Sequence, residues 1–279
     1  MTGYLRPREL GEALEARARQ PGWMVLAGGT DLMVNANHRP EPDGILDLWR
    51  LRELCGIAVD AGAGTVAIGA GTTWSEVERH PAIVERLAPL ALAAREIGAL
   101  QIQARATLGG NVGTSSPVGD SLPVLLALDA TLEVASVRGR RRVPYREWCT
   151  GYRTTQLAPD ELIVAATLPL PGPATRTTWR KVGTRRAQSI SKVMGAAAIE
   201  LDGDTVVSAR VALGAVADRP IRIAAVEDAV RGQRLGGAAT DAARAAVRAA
   251  IRPIDDVRST AAYRREVAEN LVARFFSMS

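Results

Sequence analysis

Two Gly-Gly pairs are the residues of this sequence best suited to binding a ligand. Gly28-Gly29 and Gly109-Gly110 each follow a short apolar run and stand beside small polar residues. Glycine lets backbone N–H groups approach a bulky anion closely, and successive N–H groups can form a concave nest around phosphate oxygens. Two such turns that face each other would hold a pyrophosphate from both sides. Thr30 and Thr107 would add hydroxyl donors, and Asn111 would add its side-chain amide.

An ordinary turn would explain either glycine pair taken alone, because glycine is common wherever φ must be positive. The occurrence of two pairs favours a ligand site, and so does the polar segment from Gln101 to Asp120 around the second pair. This segment is too rich in small polar residues to build a core, and a long loop inside a compact domain usually has a function. We therefore expect a loop that binds a phosphate-containing ligand.

A third glycine pattern, Gly62-Ala63-Gly64, superficially fits the GxGxxA signature of dinucleotide-binding proteins. That signature works only where it opens a helix, because the helix N-terminus must meet the pyrophosphate. Here the chain continues into Val66-Ala67-Ile68, which is typical of a strand. The pattern therefore predicts a hairpin turn without a cofactor contact.

The few histidines and cysteines exclude much metal and hydrolytic chemistry within the chain itself. Only His38, His80, Cys55 and Cys149 occur, and the cysteines form no CxxC pair. The chain cannot by itself ligate a four-cysteine iron–sulfur cluster or a Cys/His zinc ion, and two histidines argue against a Ser/His triad. We expect neither a catalytic side chain nor a metal ligand. Two isolated cysteines are typical of a reducing compartment.

The charge pattern argues against a nucleic-acid partner or a membrane span. The net charge of +5 arises from 35 basic and 30 acidic residues interspersed along 279 residues. The densest basic cluster, Arg138 to Arg142, has no stacking aromatics and predicts a solvated hairpin. No apolar run approaches the length of a membrane span, and Met1 to Leu14 lacks the apolar part of a signal peptide. We expect a cytoplasmic protein.

Short strands and helices must position the glycine pairs. Period-2 or continuous apolar runs predict strands at residues 23–26, 45–48, 57–59, 65–70, 131–137 and 162–168. Thr73-Trp74-Ser75-Glu76 has capping-box spacing and should begin a helix. Helical spacing then continues from Ile83 to Ile97, and a further helix is expected from Leu122 to Leu128.

The clearest linker is Pro169 to Pro173, where we expect a domain boundary. Beyond it the pattern predicts strands at residues 177–183, 193–201 and 205–213, the last two joined as a hairpin across Asp202-Gly203-Asp204. Three helical patterns follow from Ile223. The predicted fold class is α+β, with a two-part α/β domain followed by a small antiparallel sheet and a three-helix bundle. The predicted domains span residues 1–56, 57–172 and 173–279.

Several of these segments resemble one subunit of a known enzyme family. The matching stretches are Ala27 to Leu32, Gln101 to Asn111, Pro117 to Asp120, Thr154 to Leu162, Arg180 to Arg186 and Asp256 to Arg264. They are similar to the FAD-binding (medium) subunit of the molybdenum hydroxylases, the family of xanthine dehydrogenase and carbon monoxide dehydrogenase. The resemblance covers nearly the whole chain, and the paired glycine loops are its most specific part.

The resemblance implies a two-part FAD-binding domain at residues 1–56 and 57–172, of the type found in PCMH and carbon monoxide dehydrogenase flavoproteins. It also implies that residues 173–279 form the carbon monoxide dehydrogenase flavoprotein-like C-terminal domain. The residues that it implies as contacts of FAD are Val25, Leu26, Ala27, Gly28, Gly29, Thr30, Asp31, Leu32, Ile97, Gln101, Thr107, Gly109, Gly110, Asn111, Thr114, Asp120, Ile163 and Lys181.

Within this set the two glycine loops would hold the pyrophosphate. By resemblance, Asp120 would lie on the ribose or adenine side, and Lys181 would approach the flavin. Ile163 would line the cofactor site, Ile97 would lie beside the isoalloxazine ring, and Gln101 would lie near the ring edge.

Residue types alone leave alternatives open for two of these positions. Asp120 precedes the predicted helix at Leu122 and would equally serve as its N-cap. Lys181 is one of two lysines in a chain that otherwise uses arginine, which favours a role for a compact point charge. A solvent-exposed strand lysine is an equally good explanation.

The resemblance further implies an FAD-dependent oxidoreductase subunit of the xanthine, aldehyde or CO dehydrogenase type. Substrate would be oxidised at the molybdopterin cofactor of a large subunit. Electrons would pass through [2Fe-2S] clusters of a small subunit to FAD in this chain, and then to NAD or another acceptor. The metal cofactors would belong to the partner subunits only, in a dimer of heterotrimers. The alternative is a stand-alone FAD-dependent oxidoreductase of the same fold that acts on a small molecule.

Overall fold

The computed structural model describes residues 3–38, 40–185 and 188–278, and the first structural unit contains a small parallel sheet of order β1-β3-β2. Its elements are β1 (Gly3–Leu5), α1 (Leu10–Arg19), β2 (Met24–Leu26) and β3 (Gly44–Asp47), with 3-10 helices at Met33–His38 and Arg52–Leu54. The apolar positions Leu10 and Ala13 lie on one face of α1 and are buried in the core of this unit. The strand that ends at Leu26 therefore fixes the position of the first glycine pair, which follows it in the sequence.

The second unit contains an antiparallel sheet of order β4-β5-β10-β6-β7. Its strands are β4 (Ile57–Asp60), β5 (Thr65–Gly69), β6 (Thr131–Ser136), β7 (Gly139–Pro144) and β10 (Leu162–Pro169), and a separate hairpin is formed by β8 (Cys149–Gly151) and β9 (Thr154–Thr155). Its helices are α2 (Trp74–Arg79), α3 (Pro81–Arg86), α4 (Ala88–Glu96), α5 (Leu100–Gln103), α6 (Leu108–Thr114), α7 (Leu122–Ala127) and α8 (Tyr145–Trp148). The glycine-containing segment between β4 and β5 is a hairpin turn, as predicted.

The third unit contains an antiparallel sheet of order β11-β12-β13-β14 and three helices. Its elements are β11 (Thr175–Val182), β12 (Val193–Asp202), β13 (Thr205–Gly214), β14 (Ile221–Arg222), α9 (Ala224–Val230), α10 (Gly237–Ala250) and α11 (Ala261–Phe275). The predicted hairpin across Asp202-Gly203-Asp204 is present, because Asp202 pairs with Thr205 and Gly203 takes a φ of 57°. The α+β fold class is confirmed. We propose the three sheets as the centres of the domains 1–56, 57–172 and 173–279.

The capping box at Thr73 is confirmed, but the helix predicted from Ile83 to Ile97 is wrong as a single element. Thr73 accepts from the Glu76 N–H, and the Glu76 carboxylate accepts from the Thr73 N–H at 2.8 Å. The chain then forms α3 and α4 in succession, separated at Leu87, whose φ and ψ are −127° and 42°. Pro89 stands in the first turn of α4, where its missing N–H costs nothing, although it would break a helix interior.

The polar segment from Gln101 to Asp120 is also not the long loop that its composition predicts. It contains α5 and α6, and Thr107 caps α6 by accepting from the Gly110 N–H at 3.1 Å. Leu108 and Val112, four residues apart, are fully buried and anchor one face of α6. Two large apolar residues at helical spacing thus outweigh a locally polar composition.

The core joins the second and third units rather than stopping at the linker. Trp179 of β11 and Ala196 of β12 belong to the same buried cluster as Leu90 and Leu125 of the second unit. The opposite face of the third sheet packs on α9, α10 and α11. Both faces of β12 are covered, so its sequence is a continuous run of apolar residues instead of an alternation of apolar and polar residues.

No helix in the described part of the chain combines the length and the apolar character needed to cross a membrane. Within residues 3–38, 40–185 and 188–278, no cluster of three or more His, Cys, Asp or Glu side chains is arranged to hold a metal ion.

Candidate functional site

A cavity of about 840 Å³ lies where the three units meet. Its volume falls within the range of roughly 300–1,000 Å³ that is usual for cofactor and small-molecule sites. The first unit contributes the segment after β2, the second contributes α6 and part of β10, and the third contributes the segment between β11 and β12. The predicted site residues that line it are Val25, Ala27, Gly28, Gly29, Thr30, Asp31, Leu32, Ile97, Thr107, Gly109, Gly110, Asn111, Thr114, Asp120 and Ile163.

The first glycine pair lies directly against the segment that leads into the second. A Cβ atom on Gly28 would stand 1.8 Å from the carbonyl oxygen of Arg105 and 3.1 Å from the Cα atom of Ala106. Only glycine fits at this contact. Gly29 takes a φ of 78°, and its carbonyl accepts from the Met33 N–H at 2.9 Å, which closes the turn. The two glycine pairs therefore line the same cavity.

Among the described residues, no backbone carbonyl accepts from the N–H groups of Gly28, Gly29, Thr30 or Asp31. Most N–H groups in a folded protein are paired, so consecutive unpaired donors beside a cavity fit an anionic ligand. This turn has the properties of the predicted phosphate nest.

The second glycine pair differs from the prediction, because it is the first turn of α6 and its N–H groups already have acceptors. Leu108 N–H donates to the Thr72 carbonyl, and Gly109 N–H donates to the Ala70 carbonyl at 2.7 Å. Gly110 N–H donates to the Thr107 hydroxyl, as described above. The expectation of a second nest of free backbone donors is therefore wrong. The first N–H groups of any helix have no acceptor within the helix. In α6, carbonyl groups of a neighbouring segment accept from two of them.

Helix α6 contributes to the cavity a backbone that a ligand can approach closely and a few side-chain hydrogen-bond donors. A Cβ on Gly110 would meet one atom within 4 Å, the Thr107 hydroxyl at 3.1 Å, so a ligand can approach this backbone. The Ser121 hydroxyl donates to Asn111 Oδ1 at 2.5 Å. This bond orients the Asn111 amide, whose N–H groups stay available because the oxygen is the partner of Ser121.

Asp120 and Lys181 form a buried ion pair behind the cavity. Lys181 Nζ lies 2.6 Å from Asp120 Oδ2 and donates to the Glu96 carbonyl at 3.1 Å, and its side chain is 1% exposed. The Ser191 hydroxyl donates to the other carboxylate oxygen of Asp120. Burial raises the pKa of Asp120, and the Lys181 ammonium and the Ser191 hydroxyl oppose that shift by stabilising the carboxylate. The alternative of a solvent-exposed lysine is wrong.

The helix-cap alternative for Asp120 is also wrong. The residue that precedes α7 as its N-cap is Ser121, and no side chain makes a capping bond there. The Asp120 carbonyl accepts from the Trp179 indole N–H at 3.0 Å, so Asp120 is held to β11 by both its backbone and its side chain. Asp120 thus joins the cavity wall to the third unit.

Leu26, Gln101 and Lys181 are the predicted site residues that do not line the cavity. Leu26 is the last residue of β2, and Gln101 is exposed on the short helix α5. Lys181 lies behind Asp120 and reaches the cavity only through that carboxylate. Ile97 and Ile163 are apolar parts of the wall, and Asp31 lies 3.5 Å from Arg153 at the edge of the first turn.

Several lining residues escaped prediction from the sequence. Arg153 stands in the turn of the β8-β9 hairpin with a φ of 51°, and Gln188, Ser189 and Ile190 come from the segment before β12. The Gln188 N–H donates to the Gly98 carbonyl at 3.0 Å, which holds this segment over the cavity. No motif marks these positions. Of the basic run at the cleft, Arg185 donates to the Gln188 carbonyl, whereas Arg186 lies outside the described residues.

Comparison with protein families matches the chain in two parts. Residues 1–171 match the FAD binding domain in molybdopterin dehydrogenase, and residues 179–279 match the CO dehydrogenase flavoprotein C-terminal domain.

Among curated proteins, the glyceraldehyde dehydrogenase medium chain of Sulfolobus acidocaldarius is 32% identical, over 98% of this chain and 96% of the relative. The carbon monoxide dehydrogenase medium chain of Hydrogenophaga pseudoflava is also 32% identical, over 97% of this chain and 94% of its own. Among solved structures, a carbon monoxide dehydrogenase from Hydrogenophaga pseudoflava superposes with a TM-score of 0.93 at 29% identity, covering 98% of this chain and 95% of that one.

Proposed function

This chain belongs to the family of FAD-binding medium subunits of molybdenum hydroxylases, and we propose that it carries electrons from [2Fe-2S] clusters of a partner subunit through FAD to an external acceptor. Membership makes the chain an oxidoreductase subunit with an FAD-binding domain. The electron route and the acceptor are the parts that we add. The observation that carries the proposal is the set of free N–H groups after β2, in a cavity large enough for a cofactor.

We assign the pyrophosphate of FAD to the N–H groups of Gly28, Gly29, Thr30 and Asp31, opposite the Gly110 backbone of α6. These donors suit a diphosphate because successive N–H groups surround oxygens without introducing a side chain. The Thr107 hydroxyl and the Asn111 amide would add further donors. The remaining wall residues of the predicted set that we assign to FAD are Val25, Ala27, Leu32, Ile97, Gly109, Thr114, Asp120 and Ile163.

Leu26, Gln101 and Lys181 take indirect roles in this proposal. Leu26 anchors the start of the nest through β2, where its carbonyl accepts from the Leu48 N–H at 2.7 Å. Lys181 acts through Asp120, whose carboxylate it holds in place and whose burial-raised pKa it opposes. We place exposed Gln101 near the edge of the ring, on the side of the partner subunit.

Flavins exchange electrons singly or in pairs, which suits them to connect iron–sulfur clusters with a two-electron acceptor such as NAD. The protein's own contribution is to bind, orient and shield the cofactor. This division of labour requires no acid or base side chain from the chain itself.

The relatives are medium chains of multi-subunit enzymes, which implies large and small subunits as partners. We propose that the large subunit binds molybdenum and that the small subunit holds [2Fe-2S] clusters. The molybdopterin cofactor and the clusters would be held by those partners. We propose a dimer of heterotrimers in the cytoplasm and NAD as one candidate acceptor. The two medium chains compared above belong to enzymes named for glyceraldehyde and for carbon monoxide, which agrees with a substrate chosen outside this chain.

The test is purification of the native assembly, with an absorption spectrum, molybdenum and iron analysis, and a reduction assay with NAD. We expect flavin absorbance together with co-purifying molybdenum and [2Fe-2S] subunits. Substrate should reduce the flavin in the assembly but not in the isolated chain. Turnover of an organic substrate by the isolated flavin-loaded chain would instead support the stand-alone oxidoreductase.

A further inference from the structure

A second cavity, of about 700 Å³, lies on the third unit and shares no lining residue with the cavity at the glycine turns. It is bounded by β11, α10 and the C-terminal end of α11. We call it the arginine cavity. Its lining residues include the four arginines Arg176, Arg180, Arg244 and Arg274.

On each of the three elements, the hydrogen-bond donors that line the arginine cavity are spaced so that they lie on one face. They are Arg176, Thr178 and Arg180 on β11, Thr240 and Arg244 on α10, and Asn270 and Arg274 on α11. Residues two apart on a strand and four apart on a helix point the same way. Three elements therefore direct hydrogen-bond donors into one concave space.

No described residue that lines the arginine cavity carries a carboxylate to balance these cations. None of its four arginines has an Asp or Glu partner within ion-pair distance among the described residues. In contrast, Arg248 on the same helix α10 lies 2.8 Å from Glu269. Guanidinium groups that converge without an intervening carboxylate repel one another, so a bound anion would be stabilising.

Arg176 is held in place rather than left to solvent. Its guanidinium donates to the Phe275 carbonyl and, at 3.3 Å, to the Ser277 carbonyl at the end of α11. Burial lowers the pKa of this guanidinium, which reflects the cost of a cation with only neutral partners. These carbonyl bonds fix a half-buried arginine at one side of the arginine cavity.

We propose that the arginine cavity binds a ligand that carries two or more phosphate groups. Guanidinium groups match phosphate oxygens with paired, charge-assisted hydrogen bonds, and arginines from three elements can engage more than one phosphate at once. The hydroxyl groups of Thr178 and Thr240 add neutral donors. A free oligophosphate and the phosphate chain of a nucleotide present the same chemistry. The proposal is independent of the role assigned to FAD.

The test is calorimetric titration of the flavin-loaded protein with inorganic pyrophosphate and, separately, with ATP. Flavin absorbance is followed throughout, so that binding in the FAD cavity is recognised by displacement of the flavin. The double variant Arg180→Ser/Arg244→Ser removes two cavity cations. The double variant Arg79→Ser/Arg86→Ser is the matched control, because it removes the same charge from exposed positions on α2 and α3.

We expect saturable binding without flavin loss, and a Kd weakened roughly tenfold or more in the Arg180/Arg244 variant but little changed in the control. Equal affinity for the two probes would identify a free oligophosphate, and tighter binding of ATP would identify a nucleotide. The proposal is overturned if neither probe binds at millimolar concentration, or if both double variants weaken binding equally. Binding of hexaglutamate but not pyrophosphate would also overturn it, in favour of an acidic protein segment.

Discussion

Gly28 and Arg105, 77 residues apart in the sequence, are in backbone contact so close that a Cβ on Gly28 would lie 1.8 Å from the Arg105 carbonyl oxygen. Arg105 is itself held by its guanidinium, which lies 3.9 Å from the centre of the Trp49 ring. This contact joins the turn after β2 to the segment that enters α6. The cavity at the glycine turns exists in its present shape because no side chain separates the two.

Gly28→Ala should therefore disturb the site although alanine is small. The added methyl overlaps a backbone atom, which cannot rotate away, so the two segments must separate. We expect a loss of FAD affinity and a cost of about 1–3 kcal/mol or more in the free energy of unfolding. Flavin content after purification and chemical denaturation would measure both. Gly22→Ala is the control, because a Cβ there meets nothing within 4 Å. Full flavin occupancy in Gly28→Ala would contradict the contact.

Gly110→Val should abolish FAD retention while leaving the fold intact. A Cβ at Gly110 meets only the Thr107 hydroxyl of the protein, so the branched side chain would occupy ligand space. The circular dichroism spectrum should be unchanged, and flavin should be absent after gel filtration. Gly11→Val, near the start of α1 and with no atom close to its Cβ, should retain FAD. Retention of FAD by both variants would remove α6 from the proposed site.

Removing Lys181 should affect stability as well as the flavin. Lys181→Ala would leave the buried Asp120 carboxylate without its cation, and breaking a buried pair in this way costs about 3–5 kcal/mol. The double variant Lys181→Met/Asp120→Asn should lose less, because no buried charge remains. Denaturation of the flavin-free variants would give the stability differences, and the flavin reduction potential would report on Asp120. A double variant as unstable as Lys181→Ala, together with an unchanged potential, would contradict both the charge argument and the coupling of the pair to the site.

Glu161→Gln should destabilise the protein in a pH-dependent way. Arg141 donates to both carboxylate oxygens of Glu161 at 2.7 Å, and these bonds lower the pKa of Glu161 in the folded protein despite partial burial. A depressed folded-state pKa stabilises the protein above the unfolded value of 4.5, and this contribution is lost as the pH falls through the lower folded value. The difference between Glu161→Gln and the parent should be about 1.5–3 kcal/mol near neutral pH.

The same difference should shrink on acidification, which denaturation curves at several pH values would measure. Glu133→Gln is the control, because Glu133 pairs with exposed Arg140, and exposed ion pairs contribute little. A gap between Glu161→Gln and the parent that stays constant down to acidic pH would contradict the assignment to the ionised carboxylate.

Much of the fold was predictable because it depends on local spacing. The Thr73 capping box, the β4-β5 hairpin and the hairpin at Gly203 are encoded within a few residues each, and all are present. The wrong predictions concern segments whose structure depends on tertiary contacts more than on local composition. The polar segment folded into α5 and α6 because Leu108 and Val112 found a core, which polarity alone does not reveal.

Many of the positions that line the candidate site were predictable from the sequence. Which of their groups are available as hydrogen-bond donors was not. The glycine pairs identified two of the segments that line the cavity, since only glycine tolerates such close backbone approach. Which N–H groups are free was not predictable, because the acceptors at Ala70 and Thr72 come from a different element than α6. Arg153 and Ser189 reach the cavity only through folding of distant hairpins and loops.

The sequence by itself determined turn and cap residues, many of the strands, several helices, and the two glycine pairs from which we propose a phosphate site, because each depends on neighbours along the chain. Only the tertiary structure decided that the N–H groups of the first glycine turn have no described backbone acceptor, whereas N–H groups at the start of α6 donate to the Ala70 and Thr72 carbonyls. It also decided that Lys181 faces Asp120 and that four arginines share one cavity. The physical reason is that charge balance and hydrogen-bond satisfaction are set by whichever groups folding brings within a few ångströms, however far apart they are in sequence.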